Sequence, residues 1–260
     1  MAAALLLTAC DAGDETGRPT VVASFFPLAE ASREVLGDGW NVIDLTPPGV
    51  EPHDLELTAK QVDQIQDADY VVLLAGDFQP AVERAARRAK GKVVRIEWKG
   101  IEADPHVWLS PIAMAGIALQ IDEAIGGDSI RFQDQLRALT NEYDLGLLQG
   151  CERRTLVTAH DAFGHMADAF SLDEYGITGI SPEAEPNPQR LAELADLVRR
   201  TGTTTVFTEE LASPRIAEAL AREAGVKVDV LDTLESGQPG TYLQRMRDNL
   251  VKLRAALGCR

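Results

Sequence analysis

Three histidines stand in loop-like contexts beside a carboxylate or a proline: Glu51-Pro52-His53-Asp54, Asp104-Pro105-His106-Val107-Trp108 and Thr158-Ala159-His160-Asp161. The whole chain holds only four. Neutral imidazole is the commonest metal ligand near neutral pH, so rigidly presented histidines in a histidine-poor sequence point to metal coordination. Their separations are too long for a local motif, and only folding can bring the rings together. The fourth, His165, follows His160 by five residues, about 140° round an ideal helix, so the two do not share a face. The His-Glu-x-x-His arrangement of zinc proteases, with its spacing of four and internal glutamate, is absent.

The elements that must position these rings follow from hydrophobic patterning. Short β-branched runs alternate with helical patterns, which is the signal of an α/β layered fold. Strands are predicted over 20–24, 41–45, 70–74 and 92–96, then over 155–158, 176–180, 204–208 and 227–231. Helices are predicted over 187–200, 214–224 and 240–257, the last with a core stripe of Leu243, Met246, Leu250, Leu253 and Leu257. Two similar four-strand halves imply two lobes, each a mostly parallel sheet with flanking helices. Between them Phe132, Leu136, Leu139 and Tyr143 recur at helical spacing. The stretch 129–149 therefore reads as one rigid backbone helix about 31 Å long. The expected organisation is a leader and tether over 1–19, an N-terminal lobe over 20–128, that helix, and a C-terminal lobe over 150–260.

In open α/β sheets ligands bind beyond the carboxyl ends of strands. His53 follows the 41–45 strand, His106 follows 92–96, and His160 follows 155–158. Asp232 directly follows the 227–231 strand and is the expected fourth ligand. Three imidazoles and a carboxylate suit zinc, and are tolerable to manganese in another geometry. Two ligands from each half would put the metal in the cleft between lobes. Glu51, Asp104 and Glu209 are candidates to orient the imidazoles from behind. Because protonated imidazole cannot bind metal, affinity is expected to fall as pH drops through about 6.5 toward 5.5.

Composition narrows the class. The chain has 260 residues, 45% hydrophobic and 25% charged, as in an ordinary soluble globular protein. With 41 acidic against 25 basic residues its net charge is −16, which argues against a nucleic-acid partner. The first residues are small or apolar and end in Leu7-Thr8-Ala9-Cys10. This resembles a bacterial lipobox and predicts lipidation of Cys10 at an extracytoplasmic membrane face. No Lys or Arg precedes the run, so the true start is expected to lie upstream. Residues 11–19 carry no apolar side chain larger than alanine or proline and read as a flexible tether. In an exported chain Cys151 and Cys259 are a disulfide candidate, with two separate buried thiols as the alternative.

The motifs together resemble one family. Gly49-Val50-Glu51-Pro52-His53-Asp54, Asp104-Pro105-His106-Val107-Trp108-Leu109-Ser110-Pro111, His160-Asp161-Ala162-Phe163-Gly164 and Gly179-Ile180-Ser181-Pro182-Glu183-Ala184-Glu185-Pro186-Asn187-Pro188 look like the signature blocks of zinc/manganese-type substrate-binding proteins of ABC uptake transporters. The resemblance runs from about residue 20 to the C-terminus. It implies two α/β lobes on one backbone helix, a metal held by His53, His106, His160 and Asp232, and a membrane permease as partner to a monomeric protein. Histidine in third place favours zinc as the transported ion, while the histidine-rich acidic loop of many zinc members is absent between His53 and His106. Four protein ligands leave no vacancy for an activated water, so the chain is not expected to be an enzyme. The alternatives are a manganese-specific member, a mononuclear zinc hydrolase with Glu209 as general base, and a surface adhesin with a structural metal.

Overall fold

The structure is a computed structural model that describes residues 17–260 apart from Pro186 and Ser236. Cys10 and the apolar run before it lie outside the described residues. In the N-terminal half β1 (Thr20–Ala23), β2 (Asn41–Asp44), β3 (Tyr70–Leu74) and β4 (Lys92–Ile96) form a wholly parallel sheet in the order β2-β1-β3-β4. In the C-terminal half β5 (Thr155–Thr158), β6 (Asp173–Gly176), β7 (Thr205–Thr208) and β8 (Lys227–Val230) repeat that order as β6-β5-β7-β8, again parallel. Parallel neighbours require crossovers. In the first sheet these contain α1 (Phe26–Leu36), α2 (Ala59–Asp67) and α3 (Pro80–Ala86), after which α4 (Pro111–Ile125) and α5 (Ile130–Tyr143) lead out of the lobe. In the second they contain α6 (Gly164–Ala169), α7 (Pro188–Thr201) and α8 (Arg215–Ala224), and α9 (Tyr242–Leu257) closes the chain.

Local chemistry sets several boundaries. Prolines occupy the first turns of α1, α4 and α7, where a missing N–H costs nothing and the fixed φ is already helical. Thr58 with Gln61 and Thr241 with Gln244 form reciprocal capping boxes that start α2 and α9. One strand differs from its expected place. The sequence points to 176–180, yet β6 is Asp173–Gly176, paired from Thr155↔Asp173 to Thr158↔Gly176. β6 is an edge strand, where polar Asp173 and Glu174 are tolerated. The apolar Ile177 that suggested the later register is buried instead in the outer core of its lobe.

Three apolar clusters hold the molecule together. One lies under α2 and α3 on the outer face of the first sheet, and another under α7 and α8 on the outer face of the second. The third and largest runs through both halves, joining Val21, Phe25 and Leu74 to Trp108, Phe132, Tyr143, Phe163, Phe207, Leu231 and Tyr242. The lobes thus share a core. The backbone helix is α5 extended by a π-helical turn, Asp144–Leu148. It does not brace the lobes alone: α1 packs on α4, α4 on α5, and α5 on α9. Tyr143 donates from its hydroxyl to Met246 O at 2.7 Å, and Tyr242 N donates to Glu30 Oε1 at 3.2 Å. Trp108, fully buried, donates from Nε1 to Thr233 O at 2.8 Å and accepts at its carbonyl from the Tyr242 hydroxyl at 2.7 Å.

Cys151 and Cys259 are disulfide-bonded across a sequence separation of 108, tying the end of α9 to the chain just before β5. Closing so long a loop restricts the unfolded chain, so replacing both cysteines by serine should lower unfolding stability by about 2–4 kcal/mol. Urea denaturation of the variant beside the oxidised wild type measures this loss.

Candidate metal centre

Both sheets turn the carboxyl ends of their strands toward one cleft. His53 hangs on the loop after β2, His106 after β4, and His160 two residues beyond β5. There the rings meet. His53 Nε2 and His160 Nε2 lie 3.1 and 3.2 Å from His106 Nε2. Two nitrogens bound to one tetrahedral zinc at about 2.0–2.1 Å stand about 3.3–3.4 Å apart, so the three are close to ligand spacing. His106 is 0% and His160 1% exposed, while the His53 side chain keeps 15%.

Each buried ring is held from behind by a carboxylate. Asp104 Oδ1 lies 2.7 Å from His106 Nδ1, and Glu209 Oε2 lies 2.6 Å from His160 Nδ1. The same acids accept backbone N–H groups of the histidines they serve: His106 N to Asp104 Oδ1 at 3.0 Å and His160 N to Glu209 Oε1 at 3.2 Å. Glu51 Oε1 likewise accepts His53 N at 3.3 Å. These contacts orient the rings so that Nε2 of each faces the cleft. His165 stands one layer further out, with Nε2 2.8 Å from Asp104 O. Gly164 sits where a Cβ would come within 2.7 Å of Asp104 Oδ2, so the glycine leaves room for the carboxylate behind His106. Below the rings Phe78 packs edge-on to His53 with centroids 4.6 Å apart, and Trp108 lies 5.2 Å from His106.

Asp232 is elsewhere. Its carboxylate is gripped by Arg245 of α9, Oδ2 by Nε at 2.6 Å and Oδ1 by a terminal guanidinium nitrogen at 2.7 Å. Asn249, one turn further along α9, donates to Asp232 O at 2.7 Å and accepts Asp232 N at 2.9 Å. Asp232 Oδ1 also accepts Leu234 N at 2.7 Å, while Leu234 takes a left-handed φ of 61°. That conformation is costly for a branched side chain and persists only when its surroundings enforce it. Its result is to aim the next carboxylate, Glu235, into the cleft. Glu235 Oε1 lies 3.6 Å from His53 Nε2, is buried, and has no hydrogen-bond partner. A buried carboxylate oxygen without a donor beside three convergent imidazole nitrogens is a donor set that fits a divalent cation. Sequence reasoning misses Glu235 because it lies five residues beyond β8, and Arg245 because the apolar stripe of α9 carries no sign of a buried ion pair.

The electrostatics agree with that donor set. Burial, reinforced by the neighbouring His106 and His160, pushes the His53 imidazole down to about 3, and burial also holds His106 below its ordinary value. Burial raises the carboxyls of Glu51 and Glu235, and for Glu235 the Glu51 charge adds to it. At Asp104 burial acts upward, but the bond to His106 and its charge outweigh it and the carboxyl lies below its usual range.

Two expectations arise here. A depressed imidazole stays neutral to lower pH, so proton competition is shifted below the window of about 6.5 to 5.5 expected of free histidine. On acidification zinc affinity should therefore fall less steeply than three ordinary histidines would require, because His53 and His106 compete weakly for protons, as chelator-competition titrations from about pH 8 to 5 would record. Separately, Asp232→Asn removes one partner of a buried ion pair and should destabilise the fold by about 3–5 kcal/mol, read from denaturant midpoints of the metal-stripped protein.

The fold recurs in known proteins. The family described as ZnuA, zinc-uptake complex component A, periplasmic, matches residues 21–256. The zinc-binding lipoprotein AdcA of Streptococcus pneumoniae is 34% identical over 90% of this chain, which spans about half (54%) of that protein's length. The high-affinity zinc uptake system protein ZnuA of Bacillus subtilis is 30% identical, with 91% of this chain and 87% of that protein covered. Among solved structures, the laminin-binding protein Lmb of Streptococcus agalactiae, described as bifunctional in adhesion and metal transport, superposes with a TM-score of 0.84 at 32% identity over 92% of this chain and 99% of that one. The zinc-bound ZnuA-like domain of S. pneumoniae AdcA gives 0.77 at 33% identity, covering 93% and 99%. A match along nearly the whole described length makes this chain a member of the ZnuA family of metal-uptake binding proteins.

Proposed function

We propose that the chain captures a divalent transition metal outside the cytoplasm, zinc by preference, and passes it as a monomer to the membrane permease of an ABC transporter. The observation that carries this reading is the convergence of His53, His106 and His160 Nε2 within 3.1 and 3.2 Å of a common nitrogen. Glu235 is the proposed fourth ligand, in place of Asp232, whose oxygens are occupied by Arg245. Three imidazoles favour zinc over harder ions, and the names of the AdcA and ZnuA relatives support the same metal. The expected lipidation at Cys10, with the following residues as tether, would keep the protein beside its permease; the lipoprotein name of the AdcA relative supports this placement. No helix among the described residues is long and apolar enough to cross a membrane.

Capture is favoured over hydrolysis by the same geometry. Four protein donors close a tetrahedron and leave no position for activated water. Glu209, the candidate general base of the hydrolase reading, lies with both oxygens against His160, Oε1 accepting its backbone N–H and Oε2 2.6 Å from Nδ1.

Calorimetric titration of metal-stripped protein with zinc and with manganese tests the proposal. Tight one-to-one zinc binding by a protein that is folded without metal supports capture, whereas unfolding on metal removal would mean a structural ion. His106→Ala should weaken zinc binding by more than about 100-fold, equivalent to about 2.7 kcal/mol, and Glu235→Gln by about 10–100-fold. His165→Ala should cost far less. Equal losses for His106→Ala and His165→Ala would refute the ligand set.

A further inference from the structure

The three imidazoles are not equally reachable. His106 and His160 are sealed, and only His53 and the partly buried Glu51 beside it meet solvent. An ion bound for the three Nε2 atoms must therefore first pass His53. On that approach stand two carboxylates. Ligand atoms of Glu51, His53 and Glu235 lie within 4.8 Å of one another, and this group shares only His53 with the three-histidine group. Glu235, 4% exposed, keeps Oε1 buried and without a hydrogen-bond donor.

We propose that Glu51, His53 and Glu235 form an entry position, at which an incoming divalent cation is caught before it passes to the three-imidazole site. The proposal rests on the capture reading above and adds a step to it. A hydrated cation cannot reach buried imidazoles without losing water, and desolvating a charge without replacement ligands is costly. Carboxylate oxygens are good ligands for a cation that still holds water. At the entry position the ion exchanges part of its water for Glu51 and His53, with the freed waters returning to the solvent. Glu235 next joins its shell. The ion then moves inward to His106 and His160, keeping His53 and Glu235 and releasing Glu51. His53 and Glu235 never let go, so no step leaves the ion without protein ligands. Release runs the same path backward.

A way station on a reversible path lowers the barrier in both directions by the same factor, whereas a ligand of the final site chiefly slows release. Stopped-flow exchange on the full chain separates the two: zinc mixed with metal-stripped protein reads entry, and excess chelator mixed with zinc-loaded protein reads release. Glu51→Gln keeps an acceptor for His53 N but loses the charge, and should slow entry and release alike by about tenfold, a barrier rise of about 1.4 kcal/mol. Glu51→Asp, which keeps the charge on a shorter arm, should restore part of both rates and guards against a folding defect in the amide variant. Glu56→Gln removes an equal charge from an exposed position on the same loop and should leave both rates within about twofold. Faster release with unchanged entry in Glu51→Gln would make Glu51 a ligand of the final site and overturn the proposal. Equal slowing by Glu56→Gln would reduce it to a general field effect and overturn it too. Absence of tight zinc binding by the wild type would instead overturn the capture reading itself.

Discussion

Everything around the cleft depends on keeping three imidazoles packed nitrogen to nitrogen in a largely buried site. Left alone, such rings would turn away from one another or take up protons and repel. Two constraints prevent this. Asp104 and Glu209 hold the far nitrogens of His106 and His160 at 2.7 and 2.6 Å, which leaves Nε2 of each facing inward. The floor of Phe25, Phe78 and Trp108, with Phe25 and Trp108 centroids 4.7 Å apart, denies the rings any other direction. Burial then depresses His53 and His106, so the cleft stays ready for a cation at pH values where free histidine would already be protonated.

The same centre explains why the C-terminal helix matters. Arg245 and Asn249 lie one turn apart on α9 and reach the Asp232 carboxylate and backbone. They fix the turn that forces Leu234 into a left-handed conformation and points Glu235 at His53. Asp232 therefore acts on the site through the loop it shapes. A buried ion pair of this kind adds little net stability, but losing one partner is expensive, and that asymmetry suits a residue whose work is positional.

The shared core constrains movement. Domains joined by a small polar interface hinge readily, while a large apolar interface resists it. Here Trp108 lies within one continuous cluster with residues of both sheets, and its ring and backbone bond to Thr233 and Tyr242. Such an interface resists wide opening of the lobes, which leaves the partly exposed His53 and its neighbouring Glu51 as the open side of the cleft.

The sequence by itself determined the fold class and the meeting of His53, His106 and His160, because periodicity marks strands locally and each histidine follows a strand of a parallel sheet; the family was legible only through the resemblance of the motif blocks around those histidines. The roles of Asp104 and Glu209 behind the rings were legible for the same reason: short offsets from a histidine or a strand end confine a side chain to that edge. What only the tertiary structure reveals is that Asp232 is held in an ion pair while Glu235 faces the three imidazoles. Their three-residue separation does not tell them apart, and the difference lies in Arg245, thirteen residues downstream, which claims the first carboxylate, while the second keeps Oε1 without a hydrogen-bond donor. The displacement of β6 to Asp173–Gly176 has a like cause. An edge strand is defined by pairing with β5, which local hydrophobicity does not report, and the apolar Ile177 serves a core that exists only once the helices are in place.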